Sequence, residues 1–133
     1  MGPFDEENLE EAASRDITPM VYTPIGAALD RLAAKRQKPL GIHVCVDTGI
    51  GRVGVPHREA AALLRDLAAR SSVRIEGVMM TFAEDAAFDE EQKKRFLTLT
   101  DGLSSEGVAL GRRHAVSGFG LFQHPDFFLD MLR

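Results

Sequence analysis

Apolar residues in this chain recur with two different spacings, and the two alternate along the sequence. Short β-branched or apolar runs predict strands, whereas apolar residues three or four positions apart predict amphipathic helices. The predicted strands lie at residues 20–23, 42–46, 73–82 and 113–116. The predicted helices lie at residues 5–14, 25–34, 57–70 and 90–105. This alternation predicts an α/β domain of about four βα units.

Strands that are separated by helices of this length pair in parallel, with the helices packed outside the sheet. Two architectures satisfy the pattern, an open doubly wound sheet and a closed eight-fold barrel. Such a barrel typically needs ~250 residues, so a chain of 133 residues would supply about half of one. We find no linker, repeat or low-complexity tract, and residues 1–133 are therefore predicted to form a single domain.

The most distinctive loop of the chain follows the predicted strand at residues 42–46. This strand stops at Asp47 and continues into a turn that contains Gly49, Gly51 and Gly54. Glycines allow a tight turn and a close backbone approach to a ligand. Arg52 adds a permanently charged planar fork to the same turn. The loop is therefore predicted to bind an anion or a cofactor.

The spacing of these glycines also matches the G-x-G-x-x-G fingerprint of dinucleotide-binding enzymes. That alternative predicts a nicotinamide-dependent oxidoreductase. Two features oppose it, because the carboxylate of Asp47 would lie beside the pyrophosphate and Pro56 delays the helix that should begin within the glycines. A tight turn that binds no ligand is the third interpretation.

Composition excludes several classes of function. A net charge of −4 argues against a nucleic-acid partner, because phosphate binding requires a basic surface. No run approaches the roughly 20 apolar residues of a membrane-spanning helix. A single cysteine, Cys45, allows no internal disulfide and predicts a reducing, cytoplasmic environment. The four histidines lie on different elements without paired spacing, so we expect no metal site.

Cys45, His114 and the acidic residues at 84–91 are each predicted to have a structural role and not a functional one. Cys45 lies between two valines of a strand and is predicted to pack in the core. His114 is predicted to be half-buried with its hydrogen bonds satisfied, rather than to orient the loop that follows it. The acidic residues at 84–91 are predicted to be a charged surface loop and the start of a helix.

Five segments of the chain, in order, resemble alanine racemases. The central segment, VDTGIGRVG at residues 46–54, is similar to the family's VDTGMGRLG. The other four segments are similar to the family's LTPTVYS, EGVMTHFA, HAANS and DMVR. They are ITPMVYT at 17–23, EGVMMTFA at 76–83, HAVSG at 114–118 and DMLR at 130–133.

This resemblance implies a partial (β/α)8 barrel of a fold-type III racemase that uses pyridoxal 5′-phosphate. Members of the family interconvert L- and D-alanine for cell-wall synthesis, and the full-length parent would be a homodimer. The family's cofactor-facing arginines match Arg52, at the phenolic oxygen, and Arg133, at the pyridine nitrogen. The phosphate loop matches Ser117 and Gly118.

The chain also departs from the family pattern. Cys45 stands where the family often has a carbamylated lysine, and Thr81 stands where it has a histidine. The lysine motif VKANxYGHG and the tyrosine of the C-terminal β-domain, which supply the two catalytic bases, have no counterpart in this sequence. We therefore expect an incomplete domain that has cofactor-binding residues but no catalytic base. A barrel that binds the cofactor without catalysis is the alternative.

Overall fold

The computed structural model describes residues 6–115 and 120–131, which form alternating helices and strands. The helices are α1 Glu6–Ser14, α2 Gly26–Arg36, α3 His57–Ala68, α4 Ala86–Ser105 and α5 Gly120–Gln123. The strands are β1 Met20–Val21, β2 Leu40–Asp47, β3 Val55–Pro56, β4 Val73–Met79 and β5 Arg112–His114. The predicted α/β order is confirmed.

All strand pairs in the described chain are parallel. The sheet has the order β1-β2-β4-β5, and the short strand β3 pairs with the end of β2. Sequence patterns do not predict β3, because a proline at position 56 is typical of the start of a helix. Pro56 instead pairs with Asp47 and immediately precedes α3. The parallel arrangement brings the carboxyl ends of the strands to one edge of the sheet.

The apolar core lies between the sheet and the helices that cover it. Alternate residues of β2, such as Ile42 and Val44, are fully buried. They belong to the same buried cluster as Leu29 of α2, Leu64 of α3 and Phe96 of α4. This burial explains why the helices have one apolar face, since each must cover part of the sheet.

Helix α4 begins four residues before its predicted start. Asp85 precedes the helix, and its carboxylate accepts a hydrogen bond from the Phe88 backbone N–H at 3.0 Å. Such a cap satisfies one of the amides that a helix start leaves free. The prediction that the acidic residues at 84–91 form a charged surface loop and helix start was wrong for Asp89, because its side chain is only 2% exposed.

We expect the 133-residue chain alone to self-associate. Within the described sheet, β1 and β5 each have one paired side, and open strand edges favour pairing between chains. Analytical ultracentrifugation over a range of concentrations should therefore detect oligomers. A monodisperse monomer with a sharp, concentration-independent melt would contradict this expectation.

Candidate functional site

A cavity of about 410 Å³ opens at the carboxyl end of the sheet. This edge of a parallel sheet is where ligands of α/β proteins usually bind. Its volume lies within the roughly 300–1,000 Å³ of small-molecule sites. The lining includes residues of β1, β2, the glycine loop, the end of β4 and the chain after β4, namely Met20, Cys45, Asp47, Arg52, Met79 and Thr81. The cavity therefore joins the loop predicted from sequence to two other strand ends.

Asp47 organises the segment that we call the Arg52 loop, residues 48–54. One carboxylate oxygen accepts a hydrogen bond from the Gly49 N–H and the other from the Gly51 N–H, both at 2.8 Å. These amides therefore point towards Asp47 and not towards a pyrophosphate. Helix α3 also begins only at His57, beyond the glycines. Both observations argue against the dinucleotide interpretation.

Arg52 lies exposed on the loop that Asp47 shapes and borders the cavity. Within the described chain, its guanidinium has no hydrogen-bond or ion-pair partner. A guanidinium offers five N–H donors in a planar fork and suits an anionic oxygen. Arg52 is thus the sequence-predicted site residue that the structure brings to the cavity. The other three, Ser117, Gly118 and Arg133, lie outside the described residues and stay predictions.

Cys45 is buried, as the packing interpretation requires. Its Sγ lies 3.7 Å from the carbonyl oxygen of Val53, within reach of a weak S–H hydrogen bond. Val53 belongs to the Arg52 loop, so the thiol also contacts the backbone that shapes the site. Sequence spacing alone did not reveal this contact.

Two histidines from different strands meet inside the sheet. Nδ1 of His43 lies 3.0 Å from Nε2 of His114, and their ring centroids are 5.1 Å apart. Gly77 of the intervening strand β4 leaves space for the His43 ring, because a Cβ there would lie 2.7 Å from it. His114 is more buried than predicted, at 3% exposed.

The surroundings of His43 favour its neutral form. Burial lowers the pKa of His43 most strongly, Glu76 opposes this effect, and Arg112 adds to it. A neutral imidazole can donate through one ring nitrogen and accept through the other. A neutral His43 ring can therefore share one hydrogen bond with the ring of His114.

The described residues include no group of three or more His, Cys, Asp or Glu side chains placed to hold a metal ion. Among the described helices, none combines the length and apolar character needed to cross a membrane.

The family model of the alanine racemase N-terminal domain matches residues 1–133. This chain belongs to that family. The alanine racemase of Halothermothrix orenii is 34% identical over 80% of this chain and 29% of its own length. That of Desulfovibrio desulfuricans is 34% identical over 90% of this chain and 34% of its own length. The chain thus spans about a third of these curated relatives.

Solved structures of the family have the same fold. Alanine racemase from Clostridium difficile 630, in complex with cycloserine, superposes with a TM-score of 0.92 at 22% identity, covering all of this chain and 38% of that one. The alanine racemase from E. faecalis gives a TM-score of 0.84 at 26% identity, covering all of this chain and 37% of that one. A histidine racemase from Leuconostoc mesenteroides gives 0.81 at 24% identity, covering all of this chain and 37% of that one.

These comparisons decide between the two architectures left open by the sequence. The parallel sheet of this alanine-racemase-family chain is part of a TIM-type barrel, and the doubly wound alternative is wrong. The resemblance drawn from the five sequence segments is confirmed. The cavity therefore lies at the end of the barrel strands where the active sites of TIM-type barrels are usually built from the loops that follow the strands.

Two glycines of the Arg52 loop should respond differently to alanine. Gly51 has a φ of +71° and open space where a Cβ would lie, so Gly51→Ala should lose about 1–2 kcal/mol through backbone strain alone. Gly54 has a φ of +125°, and its Cβ would lie 2.5 Å from the Asp47 backbone nitrogen. Gly54→Ala should therefore lose clearly more. Urea denaturation at one fixed protein concentration measures both losses, and equal losses would contradict this packing.

The lowered pKa of His43 predicts a stability that falls in mild acid. The unfolded chain takes up a proton at His43 near the ordinary histidine pKa of 6.5, whereas the folded chain resists this because burial lowers the pKa. The free energy of unfolding should therefore decrease as the pH falls through and below that value. His43→Gln should make this decrease shallower between about pH 7.5 and about pH 5.5. Urea midpoints at the two pH values provide the measurement, and identical slopes would refute the assignment.

Proposed function

We propose that this chain is the cofactor-facing part of a pyridoxal-phosphate-dependent alanine racemase. The observation that carries the proposal is Arg52, an arginine without a partner in the described chain that borders a cavity at the catalytic end of an alanine-racemase barrel. Its substrate would be a small amino acid, interconverted between its L and D forms. The enzyme would act in the cytoplasm.

The described side of the cavity fits the cofactor chemically. Pyridoxal phosphate carries anionic oxygens, and the free guanidinium of Arg52 can donate to one of them in a planar arrangement. When bound, the cofactor withdraws electrons from the Cα of an amino acid and makes its proton exchangeable. Arg52 would orient the ring at its phenolic oxygen, and Asp47 would hold the loop from which Arg52 projects.

The remaining cofactor contacts are proposed from the family motifs. Ser117 and Gly118 would hold the phosphate through backbone N–H groups. Arg133 would face the pyridine nitrogen. Because arginine keeps its proton, it would donate a hydrogen bond there without protonating the ring. The cofactor would then remain a weaker electron sink, which favours reversible proton exchange over side reactions.

The catalytic bases are proposed to come from outside residues 1–133. The buried amine of Lys93 is held by Glu90 and Asp126, and Lys35 and Lys38 pair with carboxylates on the surface. No lysine belongs to the described lining of the cavity. We therefore propose an incomplete domain, inactive alone, whose parent adds an upstream lysine segment and a downstream β-domain and forms a homodimer.

A second candidate is a barrel that binds pyridoxal phosphate without catalysing racemisation. The same observation favours it, because the described cavity lining contains Arg52 but no lysine. The two candidates differ in one respect, since only the racemase gains activity when the missing bases are supplied.

We expect a completed protein, with the lysine segment and β-domain added, to form D-alanine from L-alanine when pyridoxal phosphate is present. Arg52→Lys should weaken cofactor binding about ten- to hundredfold, because lysine keeps the charge but loses the fork that makes a charged hydrogen bond worth about 1.5–3 kcal/mol. Chiral chromatography measures the D-alanine, and equilibrium dialysis measures the cofactor affinity.

Arg133→Glu in the same completed protein tests the second arginine. A carboxylate beside the pyridine nitrogen would favour protonation of that nitrogen. Racemisation should then slow while transamination rises. Absence of D-alanine from the completed parent would refute the racemase proposal, and unchanged racemisation in Arg133→Glu would refute the role given to Arg133.

A further inference from the structure

Helix α4 buries polar side chains at its start, where an amphipathic helix usually buries apolar ones. Asp89, Gln92 and Lys93 are 2%, 0% and 6% exposed, and their spacing places them on one face. Further along the helix the buried residues are Phe96, Leu103 and Thr100, and the Thr100 hydroxyl bonds within the helix itself. A buried polar group destabilises a fold unless it finds hydrogen-bond partners. The hydrogen-bond partners of these side chains therefore show which chain segments the polar face of α4 contacts.

Gln92 connects two of the loops at the catalytic end. Its Nε2 donates to Oγ1 of Thr48 at 2.8 Å and to the carbonyl oxygen of Thr81 at 3.1 Å. Its Oε1 accepts from the Ala83 N–H at 2.8 Å. A single carboxamide thus ties the first residue of the Arg52 loop to the chain that follows β4.

The side chain of Arg95, one turn further along α4, contacts the backbone of the same loop. Its Nη1 donates to the carbonyl oxygen of Thr48 at 2.7 Å. The next residue, Gly49, packs so closely that a Cβ there would lie 2.4 Å from the ring of Phe88. The start of the Arg52 loop is therefore fixed against α4 by hydrogen bonds and by close packing.

The polar face of α4 also holds the chain beyond β5. Oδ2 of Asp89 lies 2.8 Å from Nε2 of His124, and both side chains are buried. Nζ of Lys93 lies 3.3 Å from the carboxylate of Asp126. One helical face thus contacts chain segments that follow β2, β4 and β5 in sequence.

We propose that Gln92 is the positioning residue for Arg52. Arg52 itself has no partner in the described chain, so the position of its backbone depends on how the loop is anchored. Asp47 anchors the loop from within, and Gln92 anchors its first residue from α4. The role of Arg52 as a cofactor contact rests on the proposed function, but the anchoring of the loop does not.

Hydrogen–deuterium exchange of the 133-residue chain, read by mass spectrometry, tests the anchoring. Gln92→Met keeps a side chain of similar length but removes all three hydrogen bonds. Exchange in peptides covering residues 47–54 and 81–85 should then become about tenfold faster or more. A peptide covering residues 40–46, in the ladder between β2 and β4, should keep the exchange rate of the parent.

Thr100→Val is the matched control for a general loss of stability. Thr100 is fully buried on the same helix, and its hydroxyl donates to the carbonyl oxygen of Phe96 within α4. This variant should leave both loop peptides unchanged. An unprotected loop in the parent, an unchanged loop in Gln92→Met, or equal loosening in Thr100→Val would each overturn the proposal.

A double-mutant cycle in the completed protein tests the link to the cofactor. Dissociation constants for pyridoxal 5′-phosphate are measured for Gln92→Met, Arg52→Lys and the double variant. If Gln92 acts through Arg52, each single variant weakens binding and the double variant binds about as Arg52→Lys does. Independent, multiplicative losses would overturn the positioning role. A completed parent that binds no pyridoxal phosphate would instead refute the proposed function, and the exchange result would still decide whether Gln92 anchors the loop.

Discussion

The parallel pairing of β2 with its neighbours is the constraint on which the rest of the structure depends. β2 pairs with β1, β3 and β4 and is the longest of the described strands. Because these strands all run in one direction, their carboxyl ends lie at a common edge. The cavity, the Arg52 loop and the chain after β4 meet there as a direct consequence.

The same pairing explains the interior of the barrel. His43 and His114 are 71 residues apart in sequence and lie on strands that flank β4, where Gly77 leaves space for the His43 ring. The position of the His43 ring beside His114 therefore depends on the small size of Gly77. Burial lowers the pKa of His43 and favours its neutral ring, so the folded state should lose stability as the pH falls.

Buried and loop polar groups that hydrogen-bond to one another within the protein set the conformation of the Arg52 loop. Asp47 accepts both loop amides, and Gln92 uses its whole carboxamide on the backbone and hydroxyl groups around it. Arg52 differs, since its fork remains unpaired within the described chain. Satisfied supports beside an arginine that is unpaired in the described chain are what the proposed anionic cofactor would require of a site organised in advance.

The order of elements and the family could be read from the sequence because both depend on local information. Apolar periodicity reports which face of an element is buried, and the segment VDTGIGRVG identifies the loop and its arginine. Strand β3 and the roles of Asp89 and Gln92 could not be read in this way. A polar residue on a helix is normally assigned to solvent, and only the folded chain shows that a loop dozens of residues away supplies its hydrogen bonds. Chain periodicity thus determined the α/β alternation, whereas tertiary packing decided which polar groups are buried, because their partners lie in loops that are distant in sequence.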